Sequence, residues 1–257
     1  MAWTNSHRAP ELVDFAGYAD YGPDPYDINF CCSLDLSALE SERVKLTPFI
    51  PREHAPIYFD QLTQHVALSE YYSAAPPSSL GELLYTLEFG YRQNPHHTAF
   101  AILDKGRPST THPDWSGSLA GFVALKDAAP EDLSVELGSL RVFPDFQRTY
   151  VTSNAVGLLL RFCLERPPAG LGMRRVAWGA TAGHAASVNA ALRMGFKAEG
   201  VTRWHKVVYN TSKKGAAPRE GDPLPENPRS DSAVFSLCAD DWEEGGRELV
   251  QRMIVRK

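Results

Sequence analysis

One strand of this chain cannot be regular. From Leu133 to Phe143 the residues read LSVELGSLRVF. Leu133, Val135 and Leu137 stand at odd positions, whereas Leu140 and Val142 stand at even ones. Side chains of a strand alternate between faces, so a single buried face demands a single parity. One extra residue between Leu137 and Leu140 restores the buried face on both sides. Gly138-Ser139 is the natural place for such a bulge. A bulge bends its strand and loosens it from a neighbour, so the sheet must open there. Glu136 stands just before that point, on the face opposite Leu133, Val135 and Leu137.

The surrounding segments supply the rest of a sheet. Arg43 to Ile50 reads as a first strand, followed by a helix from about His54 to His65, just after Pro51. A second helix starts near Ser78-Ser79, which caps it, and carries Leu80, Leu83, Leu84, Leu87 and Tyr91 on one face. Thr98 to Leu103 and Leu119 to Leu125 read as strands around a turn-rich loop, with a further turn over Asp127 to Asp132. After the bulged strand comes a turn, Pro144 to Ser153. The helix beyond it carries Val151, Ala155, Leu158, Leu159 and Phe162 on one stripe and stops at Pro167-Pro168 and Gly170. Arg174 to Ala180 reads as a strand. Ala186, Ala190, Ala191 and Met194 line another helix, closed by Gly195. Ala198 to Tyr209 and Ala233 to Cys238 read as strands, and Trp242 to Val255 as a final helix. The expected fold is α/β (α+β): a mixed, mostly antiparallel sheet with a bulged, splayed fourth strand and helices on both faces. Residues 1–42 form an extended arm, which Tyr18, Tyr21, Tyr26 and Phe30 are able to pin down. Residues 43–257 form the domain, with a polar, mobile insertion at about 210–230.

Two runs carry a resemblance. They are FPDFQRTYVTSNAVGLLLRF, from Phe143, and RRVAWGATAGHAASVNAALRMGFKAEGVTRWHK, from Arg174. Gln147 to Thr149, Ser187, Gly195-Phe196 and Glu199-Gly200 are their most specific pieces. The chain resembles the GNAT acyltransferases, in particular the branch of the ribosomal-protein alanine acetyltransferases. The resemblance implies acetyl-CoA as co-substrate, no metal, and transfer to an amine of a small molecule or a protein N-terminus. It also implies that the pantetheine arm enters the gap beside the fourth strand, along Val142 and Phe143.

The turn has its own chemistry. The first N–H groups of a helix lack intrahelical partners and carry the positive end of its dipole, so they suit a pyrophosphate. The family pattern Q/R-x-x-G-x-G/A falls on Gln147, Arg148, Thr149, Tyr150, Val151 and Thr152, with Ser153 following. Tyr150 and Thr152 fill both small positions. The similar branch also replaces the first glycine, but Thr152 and Asn154 (where that branch has Glu) are this chain's own. The alternative is an ordinary strand–turn–helix joint.

Three residues are candidates for catalysis. Glu136 is placed to take the proton an amine must lose before or during attack; the alternatives are a solvent-facing Glu or one paired with an Arg. His184 and Ser187 open the helix after the fifth strand, where the branch has N-x-x-S. Ser187 matches and is implied to lie beside CoA. His184 replaces the Asn, and either donates a hydrogen bond, passes a proton to the leaving thiolate, or merely starts the helix. The tyrosine that the family often places on this helix is missing between Gly183 and Met194, which leaves thiolate protonation unassigned. Tyr71-Tyr72 falls where acceptor pockets of the family gain a wall, or is core.

Composition excludes other classes. The charge is −5 with no Lys/Arg-rich run, against a nucleic-acid partner. The acidity favours cationic acceptors. No apolar run reaches the roughly 20 residues that span a bilayer. The N-terminal MAWTNSHRAPELVDF lacks a signal peptide's apolar segment, and four cysteines without C-x-x-C spacing fit a reduced, cytoplasmic setting. The histidines show no metal-ligand spacing. Two other functions fit the same sequence: a CoA-binding protein without catalysis, and an interaction module built on the arm and the insertion.

Overall fold

Seven strands form one sheet in the order β1-β2-β3-β4-β5-β7-β6. The computed structural model describes Thr4, Asp14, Phe15 and residues 17–210 and 215–255. The strands are β1 (Val44–Pro48), β2 (Thr98–Asp104), β3 (Ser118–Ala129), β4 (Ser134–Val142), β5 (Arg175–Thr181), β6 (Lys197–Val207) and β7 (Arg229–Cys238). The helices are α1 (Pro51–Gln64), α2 (Leu80–Leu87), α3 (Val151–Leu164), α4 (Ala185–Arg193), α5 (Ala239–Asp241) and α6 (Arg247–Val255). All strand pairs are antiparallel except β4 with β5. The mixed, mostly antiparallel sheet read from the sequence is therefore the fold.

The parity break is a bulge. Ser139 adopts φ +53°, a left-handed conformation. Phe122 pairs with Arg141 and Ala124 with Gly138, so Val123 alone spans Ser139 and Leu140. The parallel ladder with β5 covers only Ser134 to Glu136 against Arg175 to Ala177. Beyond Glu136 no described strand pairs with that edge of β4. The bulge turns β4 away, and the two strands fork.

Helices cover the two faces unequally. Tyr58 of α1 stacks on Phe122 with ring centroids 5.1 Å apart, so α1 and α2 lie on the face that carries Phe122, Lys126 and Glu136. Ser79 caps α2: its hydroxyl accepts from the Glu82 N–H at 3.1 Å, while the Glu82 carboxylate takes the Ser78 N–H at 2.7 Å. A wider turn, Glu88–Arg92, continues this helix. The opposite face holds α3, α4 and α6. There a Cβ on Gly157 would meet the Ile254 side chain at 2.7 Å, so α3 and α6 pack only because Gly157 lacks one. On the first face, β5, β7 and β6 extend past the helices: Gly179 and the whole of β6 are exposed.

Several boundaries differ from the sequence reading, for local reasons. β3 runs to Ala129 rather than Leu125, because Asp127 takes φ +48° and a second register shift lets pairing continue. β7 begins at Arg229, four residues before Ala233, and the isolated bridge Ala216↔Arg229 ties an early part of the polar segment to it. The last helical stretch starts at Ala239 and kinks at Glu244 and Gly245, the latter at φ +113°. Residues 1–42 are not extended throughout. Leu36–Leu39 is a turn of 3₁₀ helix whose Leu39 is fully buried. Tyr18, Tyr21 and Phe30 lie against the core, and Tyr18 meets Tyr85 of α2 edge-on. Residues 211–214 lie outside the described residues.

Candidate functional site

The fork puts Glu136 at its apex. Its register partners are Lys126 on β3 and Ala177 on β5. Glu136 Oε1 accepts from Lys126 Nζ at 2.8 Å, and both side chains are between a quarter and a third exposed. Sequence reasoning weighed an arginine partner; the partner is a lysine from the adjacent strand. Burial opposes the charge on Lys126, but the Glu136 carboxylate more than offsets that and raises the lysine above its usual range. A Cβ on Gly138 would meet Lys126 Cε at 2.6 Å and Glu136 Oε1 at 3.0 Å. Gly138 thus serves the ion pair as well as the bulge. Gly179 of β5 lies across the fork, and a Cβ there would be 4.0 Å from the carboxylate.

A group that sequence reasoning did not single out lines the bulge from the helix side. Arg141 lies over the Tyr72 ring at 3.4 Å, donates to Tyr58 Oη at 3.1 Å and donates to the Leu68 carbonyl at 3.3 Å. Tyr72 Oη donates to the Leu140 carbonyl at 2.9 Å, and Tyr91 Oη donates to Ser139 Oγ at 3.0 Å. Burial raises the Tyr58 and Tyr72 phenols, so both stay neutral, Tyr58 accepting from Arg141 and Tyr72 donating to Leu140. Of the Tyr71-Tyr72 pair, Tyr72 belongs to this support. Tyr71 stacks on His184, with ring centroids 4.0 Å apart and planes 4° from parallel. That stack stands where the end of β5 meets α4, and the Thr181 hydroxyl donates to the Tyr71 carbonyl at 2.8 Å.

The turn after β4 is firmly built. Val142 and Phe143 end the strand, Pro144–Phe146 makes one 3₁₀ turn, and Gln147 Nε2 donates to the Val142 carbonyl at 2.9 Å. Arg148 takes φ +60°. Thr149 Oγ1 donates to the Phe146 carbonyl at 2.6 Å and accepts from the Val151 N–H at 3.2 Å. Val151, Thr152 and Ser153 form the first turn of α3, whose N–H groups have no intrahelical acceptor. Tyr150, which stands at a small position of the expected pattern, does not fill the turn. Its hydroxyl donates to Asp104 Oδ1 at 2.7 Å, and its ring lies under the Arg43 guanidinium at 4.7 Å. Asn154 is fully buried and accepts from Ser41 Oγ at 2.9 Å, so it anchors the segment before β1.

Ser187 and Trp178 form a pair across the other face. Trp178 Nε1 donates to Ser187 Oγ at 3.1 Å, and the indole packs edge-on against Phe196. Ser187 therefore holds α4 to β5. Glu136 and the turn lie on or near β4, and His184 and Ser187 across the gap. Two openings elsewhere, one beside Trp242 and Arg247 and one beside Tyr26 and Leu87, are lined by neither Glu136 nor the turn. The ligand atoms of Cys238, Asp240 and Asp241 cluster within 4.8 Å, but Asp241 there takes the Lys197 ammonium and the Cys238 N–H. No helix among the described residues is long and apolar enough to cross a membrane.

Residues 43–197 match the model of a family described as acetyltransferase (GNAT) domain. No curated protein matches the chain by sequence. Among solved structures, a GCN5-related N-acetyltransferase from Brucella melitensis aligns with TM-score 0.65 at 23% identity, over 84% of each chain. The Salmonella typhimurium acetyl transferase that modifies the N-terminal serine of ribosomal protein L7/L12 aligns with TM-score 0.57 at 14% identity, over 77% of this chain and 96% of that one. Spermidine N-acetyltransferase from Vibrio cholerae, solved with CoA and spermine, aligns with TM-score 0.56 at 14% identity, over 79% of this chain and 99% of that one. At these identities the structures bear on the fold.

Proposed function

The chain belongs to the GNAT N-acetyltransferase family, whose model spans well over half of it, and from that premise we propose that it moves an acetyl group from acetyl-CoA to an amine by direct attack in a ternary complex. The observation that carries this reading is the fork of β4 from β5 at Glu136, with a carboxylate at the point where the strands part. Bound acetyl-CoA supplies an activated acyl group as a thioester. The residues present fit it. The side chain at Tyr150 is drawn off to Asp104, so the backbone of Gln147 to Ser153 remains the surface that the turn presents to a phosphate. The edge of β4 from Leu137 to Val142 has no described strand beside it, which suits an amide-bearing arm laid along it as a strand. Val142 and Phe143 lead that edge into the turn.

Each residue then has a task. The turn orients the nucleotide end, and the β4 edge fixes the depth of the thioester; backbone donors at the bulge polarise its oxygen. Glu136 accepts the amine proton. Tyr72 and Arg141 brace the bulged backbone. Ser187 keeps α4 against Trp178, and His184, with Tyr71 stacked on it, forms the wall on the β5 side. The acceptor is an amine of a small molecule or of a protein N-terminus. Glu136→Gln tests the assignment. CoA binding by calorimetry should persist while turnover at neutral pH falls by about 10²–10⁴-fold. An unchanged rate removes Glu136 from the mechanism.

One observation favours a second reading, a CoA-binding protein without catalysis: the Glu136 carboxylate already holds an ammonium. Thiol release from acetyl-CoA with a panel of amines separates the two.

A further inference from the structure

We infer that Lys126 is a specificity-determining residue: its ammonium, seated on Glu136, turns away acceptors that arrive as cations and admits weakly basic amines. This rests on Glu136 being the base. The pair is built, not incidental. β3 and β4 register Lys126 directly against Glu136, the two side chains meet at 2.8 Å, and Gly138 lacks the Cβ that would displace both.

The charges around the fork agree. From β4, Arg141 adds a second cation to the same face. From β3, Asp127 turns to His97 at 3.2 Å. From β6, Glu199 is taken by Arg175, and by Ser236 at 2.8 Å. Arg175 holds Glu199 down to about pH 2, so that pair stays ionised. The helix side contributes the hydroxyls of Tyr72 and Tyr91, and the β5 and β6 ends contribute His184 and His205, the latter bonded to Ser232 at 2.8 Å. Glu136 and Glu199 thus each already hold a cation. The net acidity of the chain, which by itself favours cationic acceptors, is not gathered at the fork.

The chemistry follows from protonation. An alkyl amine with pKa near 10.4 is neutral about once in 2,500 molecules at pH 7, whereas a peptide α-amine near 7.7–8.0 is neutral roughly once in ten. A strongly basic amine must therefore arrive as an ammonium beside Lys126, against like-charge repulsion. A weakly basic amine arrives neutral. Its nitrogen bonds to the thioester carbon, the C–S bond breaks, and the electron pair leaves on sulfur. The proton shed by nitrogen passes to Glu136.

The test measures kcat/KM for trifluoroethylamine and ethylamine, a pair matched in shape but not in basicity, and for an alanyl peptide and spermidine. At pH 7 the parent should favour the weakly basic member of each pair in kcat/KM on total amine, because the basic member is held out as its cation. Lys126→Met should lower that preference by about tenfold or more, and Lys126→Arg should keep it. Lys126→Gln serves as the second neutral variant, and melting curves establish that each is folded. A preference within twofold of the parent in both neutral variants, with Glu136→Gln still slow, overturns the role of Lys126 alone. Unimpaired turnover by Glu136→Gln, or CoA binding without turnover of any amine, overturns the reading beneath it and this inference with it.

Discussion

Tyr150→Phe tests whether the turn has kept its ligand surface by moving its largest side chain out of it. The substitution removes one oxygen and keeps the ring under Arg43. In the parent, Asp104 is 2% exposed, and its Oδ1 accepts from Tyr150 Oη at 2.7 Å and from the Gly106 N–H at 3.0 Å. The nearest cation is Arg107, whose Nε lies 3.7 Å from the other oxygen. Without the phenol, Oδ1 keeps one donor, and little water can replace the other. A hydrogen bond to a charged group is worth about 1.5–3 kcal/mol, and more is lost when the acceptor stays buried. For a chain of this size 1 kcal/mol corresponds to roughly 2–4 °C in Tm. Differential scanning calorimetry should therefore show a fall of roughly 3–12 °C. Isothermal calorimetry with CoA should give a Kd within about twofold of the parent, since the lost oxygen faces Asp104 and not the ligand. An unchanged Tm together with CoA binding weakened at least about tenfold would mean that the phenol contacts the nucleotide. The account of the turn would then be wrong.

Three further outcomes are expected. Saturating CoA should stabilise the protein, by about 2.7 kcal/mol at one hundred times Kd, and no thermal shift at millimolar CoA, with calorimetry also silent, would rule out the site. Thr152→Glu should leave the free protein as stable or slightly more so, through the helix dipole, yet weaken CoA binding at least about tenfold, with partial recovery in salt; equal affinity would place the phosphates elsewhere. His54 is buried, with Nδ1 accepting the Ile50 N–H at 2.9 Å, and burial lowers its pKa to about 4. Its contribution to stability is therefore full above pH 6.5 and is lost as pH falls towards 4, on the order of 3 kcal/mol in all. Urea unfolding at pH 7 and pH 5 should show a steeper loss in the parent than in His54→Gln, and equal losses would refute the assignment.

What the sequence shows and what it hides divide along sequence separation. Ser79 caps α2 within three residues, the stripe from Val151 to Phe162 lies within one helix, and the bulge declares itself within one strand. Each rests on a local rule of period or capping, so it is legible without the rest of the chain. The contacts that decide the site's chemistry are not local. Tyr150 reaches Asp104 across 46 positions, and His184 stacks on Tyr71 across more than a hundred. Lys126 meets Glu136 because β3 keeps its pairing with β4 past Leu125, where the sequence reading ends the strand. The edge strand β6 misleads in the other way. Val201 and Trp204 have a strand's composition, yet they are 56% and 50% exposed, because no described helix covers them.

The parity break nevertheless implies more than an opening. An inserted residue shifts every later side chain to the other face. Before the bulge, the even position Glu136 points away from Val135 and Leu137; after it, the odd position Arg141 points away from Leu140 and Val142. Both must therefore lie on one face, and in the structure both do, on the side of Tyr58 and Tyr72. Without the extra residue Arg141 would project into the opposite layer, among the apolar side chains of α3. A carboxylate before the bulge and a cation after it are thus put on one face by the same insertion that parts β4 from β5. In the proposed reaction, the device that opens the sheet for CoA would also fix which charges face the amine.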